Sequence, residues 1–509
     1  MRLGERNLKL GVIMSYLWVL IHILANLVYA PLMIRFLGKS EYGLYQVVAS
    51  FLAYINVLES SLSSGVLRFY CNSLVKGNML NIENTLAICK RIYQKLSCLV
   101  VALGIILILA FRSFYLSSLS SAEIMEGSMM LGILILNLCV TMLNAVYLAG
   151  MRGNERFVAD KCLSCISQII QLLLCVLLIS HFHYAILVTI VQLVVNITMS
   201  MVRRNYAVRK LNIRIELHKR DRNLERSILF FSGGILLSTI ADQIFWRTDQ
   251  VILAKMYNTS IVAVYAIGAQ IYTNYMYAGT TIAGVFFPRI SKYYQEENGL
   301  KKISDLFIRV GRLAFIFCFM VFGGFVIFGK EFISLWVGED YLPAYYMALV
   351  VMIPFTIDVI QHLGLSILQV MDKYAFRAKV YFLAATLNIF LTILLAKKYG
   401  AIGAAISTGI SMFITSGIIM NLYYFLHIKL DIRTFWINIS DIILHNSLMV
   451  MIFYFVNNFL PFKRGILSFV LKIVVFCVFY MIFTYCFIMN DYEKNISKRI
   501  LVNIVRFKS

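Results

Sequence analysis

Apolar runs of about 20 residues, each long enough to cross a hydrocarbon core of roughly 30 Å as a helix, recur from one end of this chain to the other. Fourteen such segments are centred near Ile21, Leu52, Val101, Asn137, Leu172, Leu193, Ala241, Thr273, Cys318, Pro354, Leu387, Ser411, Val450 and Val478. Only helices and closed barrels satisfy their own backbone groups in lipid, and continuous apolar runs of this length are helical. The chain is therefore expected to be an all-α integral membrane protein with about 14 transmembrane helices. With 61% hydrophobic residues and a mean hydropathy of +0.80, a soluble domain is excluded. The first segment is followed by charge rather than a small-residue cleavage site, so it reads as a retained helix and not a signal peptide.

A net charge of +22 could signal nucleic acid, so the placement of the basic residues decides what it means. If the N-terminus is cytoplasmic, 36 of the 47 Lys and Arg fall in cytoplasmic segments, nine in external loops, and Arg247 and Lys472 within helices. That asymmetry is the positive-inside rule, and it places both termini in the cytoplasm. The charge sets topology; no nucleic-acid partner is expected.

The ten cysteines lie scattered through apolar segments, where Cys behaves as a small hydrophobe, and they imply no disulfide framework. Cys162 and Cys165 form a lone C-x-x-C on an apolar helix without a second pair. His181 and His183 have no obvious companion ligands either, so no metal site is expected.

The longest hydrophilic stretch inside the helical part, residues 203–226, divides six helices from eight. At an offset of 219 or 220 residues the two sides resemble each other faintly. Ser64-Gly65-Val66-Leu67 falls on Ala283-Gly284-Val285-Phe286, and Tyr45 on Tyr265. The expected organisation is a six-helix lobe over 1–215, a second six-helix lobe over 216–437 related to it as a parallel repeat, and two further helices with a cytoplasmic tail over 438–509. Transporters place substrates between such halves.

A charged side chain at mid-bilayer costs roughly 2.5 to 3.5 kcal/mol on insertion scales, so those present should face protein or water. The seventh helix is richest. Ser238, Thr239, Asp242, Gln243, Trp246, Arg247, Asp249 and Gln250 fall within about half of its cylinder, opposite Leu237, Ile240, Ile244, Val251 and Ile252. Narrower stripes run along helix one (Ser15, Trp18, His22, Asn26, Tyr29), helix two (Gln46, Ser50, Ser60, Ser64) and helix eight (Gln270, Thr273, Asn274, Tyr277, Thr281). Together they suggest one substrate cavity, its lining drawn from His22, Asn26, Tyr29, Asp242, Trp246, Arg247, Asp249, Gln270, Asn274 and Tyr277. The competing reading is that polar residues hydrogen-bond neighbouring helices, as Ser, Thr, Asn and Gln do in membranes, with Arg247 as an ion-pair staple.

Helix ten carries Pro354, Asp358, Gln361 and His362, and the acid and imidazole one turn apart could bind a coupling proton or form a satisfied pair beside a proline kink. Glu59, near the inner end of helix two, has no assigned role. Arg68 and Arg289, just beyond the cytoplasmic ends of helices two and eight, could meet a pyrophosphate group through their forked donors, or simply obey the positive-inside rule.

The loop after helix one reads Arg35-Phe36-Leu37-Gly38-Lys39-Ser40-Glu41-Tyr42-Gly43-Leu44-Tyr45, and the inner end of helix eight Gly284-Val285-Phe286-Phe287-Pro288-Arg289-Ile290-Ser291. With the fourteen helices, these motifs resemble the bacterial polysaccharide transporters, the Wzx-type oligosaccharide flippases of the multidrug/oligosaccharidyl-lipid/polysaccharide superfamily. The resemblance implies a MATE/flippase-like inner-membrane transporter that carries an undecaprenyl-pyrophosphate-linked oligosaccharide outward for O-antigen or other surface polysaccharide. Membrane lipids and the polysaccharide polymerase machinery would be its partners, and a proton or sodium gradient its drive, with no bound cofactor. Two alternatives differ in class. A MATE-like drug exporter would be revealed by loss of cationic-dye export on deletion. A membrane polysaccharide polymerase or other enzyme needs larger external loops than residues 111–127, the longest here, and no G-x-x-x-x-G-K-[ST] phosphate loop is present. The charge asymmetry makes a direct prediction: phosphatase fused after Arg222 or Ser509 should be inactive, and activity at either position would reverse the orientation.

Overall fold

A computed structural model describes residues 2–280, 286–457 and 465–495. Thr281, the Gly284-Val285 part of the second motif, and the side chains of Ser15, Ser238, Phe287 and Pro288 lie outside the described residues. In chain order the long helices are α1 (Arg2–Lys76), α2 (Met79–Tyr115), α3 (Ser121–Gly153), α4 (Phe157–Phe182), α5 (Ile186–Leu211), α6 (Arg222–Met256) and α7 (Thr259–Thr280), followed by the short α8 (Phe287–Tyr294). Then come α9 (Gly299–Trp336), α10 (Pro343–Ile360), the short α11 (Leu363–Val370), α12 (Tyr374–Met412, continuing through π-helical turns to Ile428), α13 (Ile432–Asn457) and α14 (Ile466–Phe483).

Eleven helices among the described residues are long and apolar enough to span a membrane. Two of them, of 57 and 55 residues, are twice the needed length. Each bends at a glycine in the left-handed region, Gly38 (φ 82°) and Gly400 (φ 63°), where a side chain would be strained. Dividing both there, and counting the 22-residue α7, recovers the fourteen expected spans. The seventh expected span is thus α6, the eighth α7 and the tenth α10.

The helices form two compact units, Met1–Ala266 and Ile267–Ser509. Their boundary differs from the expected one at 215/216, because α6 packs along the second half of α1 and stays with the first unit. The contacts run antiparallel, residues 50–68 of α1 against 231–250 of α6. Arg68 stacks on Phe231 at 4.3 Å, and a Cβ on Gly65 would overlap the Ser232 hydroxyl. Tyr54 shares a hydrogen bond with Thr248 at 3.0 Å, and Ser50 donates to Gln250 at 2.5 Å.

In the second unit, α13 and α14 pack on α9 around Phe328, Phe453, Phe476 and Tyr480. Two ion pairs fasten them. Arg312 of α9, 6% exposed, donates to Glu493 at 2.8 and 3.2 Å, to the Asn438 amide oxygen and to the Ile488 carbonyl. Lys472 of α14 donates to Glu331 at 3.0 Å. Breaking a buried pair strands a charge, at a cost of about 3 to 5 kcal/mol. Arg312→Ala should therefore sharply lower the thermal midpoint of the purified protein, and the double change Arg312→Leu with Glu493→Leu should recover much of the loss.

Candidate functional site

The polar face of α6 divides along its length. Asp242, Gln243, Trp246 and Arg247 are half-buried, whereas Asp249 and Gln250 are 2% and 3% exposed. Asp249 accepts a hydrogen bond from the Tyr265 hydroxyl at 2.5 Å, and Gln250 accepts from Ser50. The sequence grouped Asp249 with the water-facing residues; the fold turns it inward against Tyr265. Arg247 makes no ion pair among the described residues, so the anticipated staple is absent there. A cation in a membrane helix without a carboxylate partner needs water, backbone carbonyls or an anionic ligand.

On α1, His22 lies parallel to Trp18 with ring centroids 5.3 Å apart and bonds Asn26 through Nε2 at 3.1 Å. The Lys161 ammonium of α4 sits over Trp18 at 4.3 Å. His22 Nδ1 is buried with no hydrogen-bond partner among the described residues. Tyr29, expected beside them in the cavity, instead donates to the Cys175 sulfur of α4 at 3.6 Å, within an apolar contact that includes Met33, Phe36 and Ile179. Here α1 packs closely against α4, and the stripe is partly a helix–helix seam. On α7, Gln270 and Asn274 are half-buried and Tyr277 is 59% exposed. Arg68 is exposed and stacked on Phe231, and Arg289 is exposed and bonded to the Tyr293 hydroxyl at 2.9 Å.

The expected pair on α10 resolves differently. Asp358 accepts from Arg377 of α12 at 3.2 Å and from Ser416 at 3.0 Å, with all three side chains buried. His362 makes no hydrogen bond to Asp358, and its Nδ1 is buried without a partner among the described residues. The helix stops at Gln361, seven residues past Pro354. There Gln361 and Asn421 exchange two amide hydrogen bonds of 2.7 and 3.1 Å, and Trp436 donates to the same Asn421 oxygen. Arg377 was missed in the sequence because it sits near the end of a predicted span, where a basic residue passes for a topological signal.

The first motif is a knot where the two halves of α1 meet. Ser40 bonds Thr259 at 2.8 Å and Glu123 at 3.0 Å, Thr259 also donates to Glu123, and a Cβ on Gly43 would overlap the Thr259 carbonyl. Glu41 and Glu126 accept the backbone N–H groups of Ala185 and Ile186 at the start of α5, where the helix dipole favours negative charge. Gln192 donates to Tyr45.

Fourteen spans, two of the long helices bent at glycine, and a half-buried polar face on α6 fit the all-α fold of membrane transporters. Its fold matches that of a lipid II flippase, MurJ, in an inward closed conformation, with a TM-score of 0.72 at 17% identity over 94% of this chain and 98% of that one. It also matches an inward-facing multidrug resistance MATE family transporter of the MOP superfamily, with a TM-score of 0.61 at 12% identity over 82% of this chain and 95% of the other. Residues 8–294 match the family model described as polysaccharide biosynthesis protein, and the chain belongs to that family. A Shigella flexneri protein assigned as an O-antigen transporter is 21% identical over 402 residues, covering 76% of this chain and 91% of its own length. These similar proteins are transporters and a flippase.

The two members of the α10 pair should respond oppositely to substitution. Asp358→Asn leaves Arg377 buried without its counter-charge and should cost about 3 to 5 kcal/mol of stability. His362→Gln should leave the thermal midpoint nearly unchanged. Equal tolerance of both substitutions would mean that the Asp358–Arg377 pair carries no structural weight.

Proposed function

We propose that the protein is an alternating-access flippase that moves a lipid-linked oligosaccharide, carried on undecaprenyl pyrophosphate, from the inner to the outer leaflet of a bacterial cytoplasmic membrane. In this reading both termini are cytoplasmic and the product feeds surface polysaccharide synthesis. Family membership and the kinship with an O-antigen transporter support the substrate class. The observation that carries most weight is Arg247, a half-buried cation in the last third of α6 with no ion pair among the described residues.

A lipid-linked sugar presents hydroxyls, and often acidic groups, to the wall of its path. Arg247 offers forked donors to such groups, and Trp246 offers a flat apolar face to a sugar ring. A single arginine stabilises the cargo in passage without a cluster of charges that would retain it. An ion gradient supplies the drive in this proposal.

Single cysteines on α6, in a background with native cysteines removed, test the path. Positions 242, 246 and 247 should react with a water-soluble thiol reagent, and 249 and 250 should be protected. Arg247→Ala should lower transport about tenfold at near-normal protein abundance, the equivalent of one charge-assisted hydrogen bond of about 1.5 kcal/mol, and Arg247→Lys should restore part of it. Uniform protection along α6, or transport unchanged in Arg247→Ala, would remove this helix from the path.

A further inference from the structure

The linker between α5 and α6 is extended and packed. Asn212 ends α5 in a left-handed conformation, and from there the side chains alternate. Ile213, Ile215 and Leu217 pack into the core of the first unit, while Arg214, Glu216 and His218 face outward. That is the period of an extended chain, and it puts Glu216 and His218 on the same side. The backbone N–H groups of His218 and Lys219 both donate to the Asn84 amide oxygen, at 3.2 and 3.0 Å, which holds this stretch against α2.

Beside Asn84 stands Glu83. Its carboxylate meets His218 Nε2 at 2.7 Å, and the ligand atoms of Glu83, Glu216 and His218 all lie within 4.8 Å of one another. We propose that these three side chains form a binding site for a first-row divalent cation of the zinc type, which fastens the α5–α6 linker to α2.

The donor set suits that chemistry. One imidazole nitrogen and two carboxylate oxygens favour zinc and its neighbours, and an ion about 2.0 to 2.2 Å from each ligand draws donors at this spacing together with small side-chain rotations. Water fills the remaining positions, since Glu216 and His218 are exposed. A hydrogen bond between His218 and Glu83 alone would account for two of the three residues. It does not account for Glu216. That carboxylate has Arg214, Lys219, Arg220 and Arg222 in its own segment, forms an ion pair with none of them, and points toward the imidazole and the other carboxylate instead. Two like charges brought together beside a histidine are stabilised by a shared cation.

The test uses the full-length protein in detergent, free of any histidine tag and stripped by a chelator. Titration with Zn²⁺ followed by calorimetry, and with Co²⁺ followed by its visible absorption, should show one saturable site, and Zn²⁺ should raise the thermal midpoint. Glu216→Gln, which leaves the His218–Glu83 hydrogen bond in place, should weaken binding at least about tenfold and abolish the thermal shift without altering the metal-free midpoint. His218→Ala should do the same to binding. Absence of saturable binding, or binding unchanged in Glu216→Gln, would overturn the site and leave only the hydrogen bond.

Discussion

The structure of the first unit depends on how polar side chains are satisfied where no water is at hand. Lipid offers no hydrogen-bond partner, so a hydroxyl or amide inside a span must find one on its own helix's carbonyls or on a neighbouring helix. The second half of α1 and the antiparallel α6 solve this together, with Ser50 on Gln250 and Tyr54 on Thr248 beyond the Arg68–Phe231 stack, and the Ser40–Thr259 bond to the start of α7 continues the line. Because these contacts span both helices, α6 belongs with the first five helices. Asp242, Gln243, Trp246 and Arg247, the half-buried polar residues of α6, are those the seam leaves over.

The charges inside the bundle follow the same economy. Arg312, Arg377 and Lys472 each meet a carboxylate on another segment, 181, 19 and 141 residues away in sequence. Asp249 accepts a hydrogen bond from the Tyr265 hydroxyl. Among the described residues Arg247, by contrast, makes no ion pair, so it has more to offer a ligand than the α10 acid has. A charge already matched within the protein has less to offer a cargo.

Much of this was legible in the sequence, for reasons that are physical. Hydrophobic length fixed the spans, and the polar face of α6 was visible from its helical period because eight polar residues on one side of a membrane helix have few explanations. What failed was the assignment of partners. Tyr29 and Asp249 share their faces with wet residues, yet Cys175 and Tyr265, remote or on another helix, claim their polar ends. No periodicity in a single helix reports which neighbour it packs against. The Asp358–Arg377 pair was missed for the same reason: the two are 19 residues apart on different helices, and the nearer His362 looked like the natural companion. The Arg35–Tyr45 motif could be matched to a family but not explained until Gly43 was seen against the Thr259 backbone and Glu41 on the α5 terminus.

The proposed cargo is a completed lipid-linked oligosaccharide. This proposal is tested most directly by deleting the gene, extracting the lipid-linked sugars, and asking whether they are reachable by a membrane-impermeant reagent from outside. The account predicts that complete units accumulate and remain unreachable, with surface polysaccharide lost. Complete units that stay reachable, or units that are truncated, would contradict it.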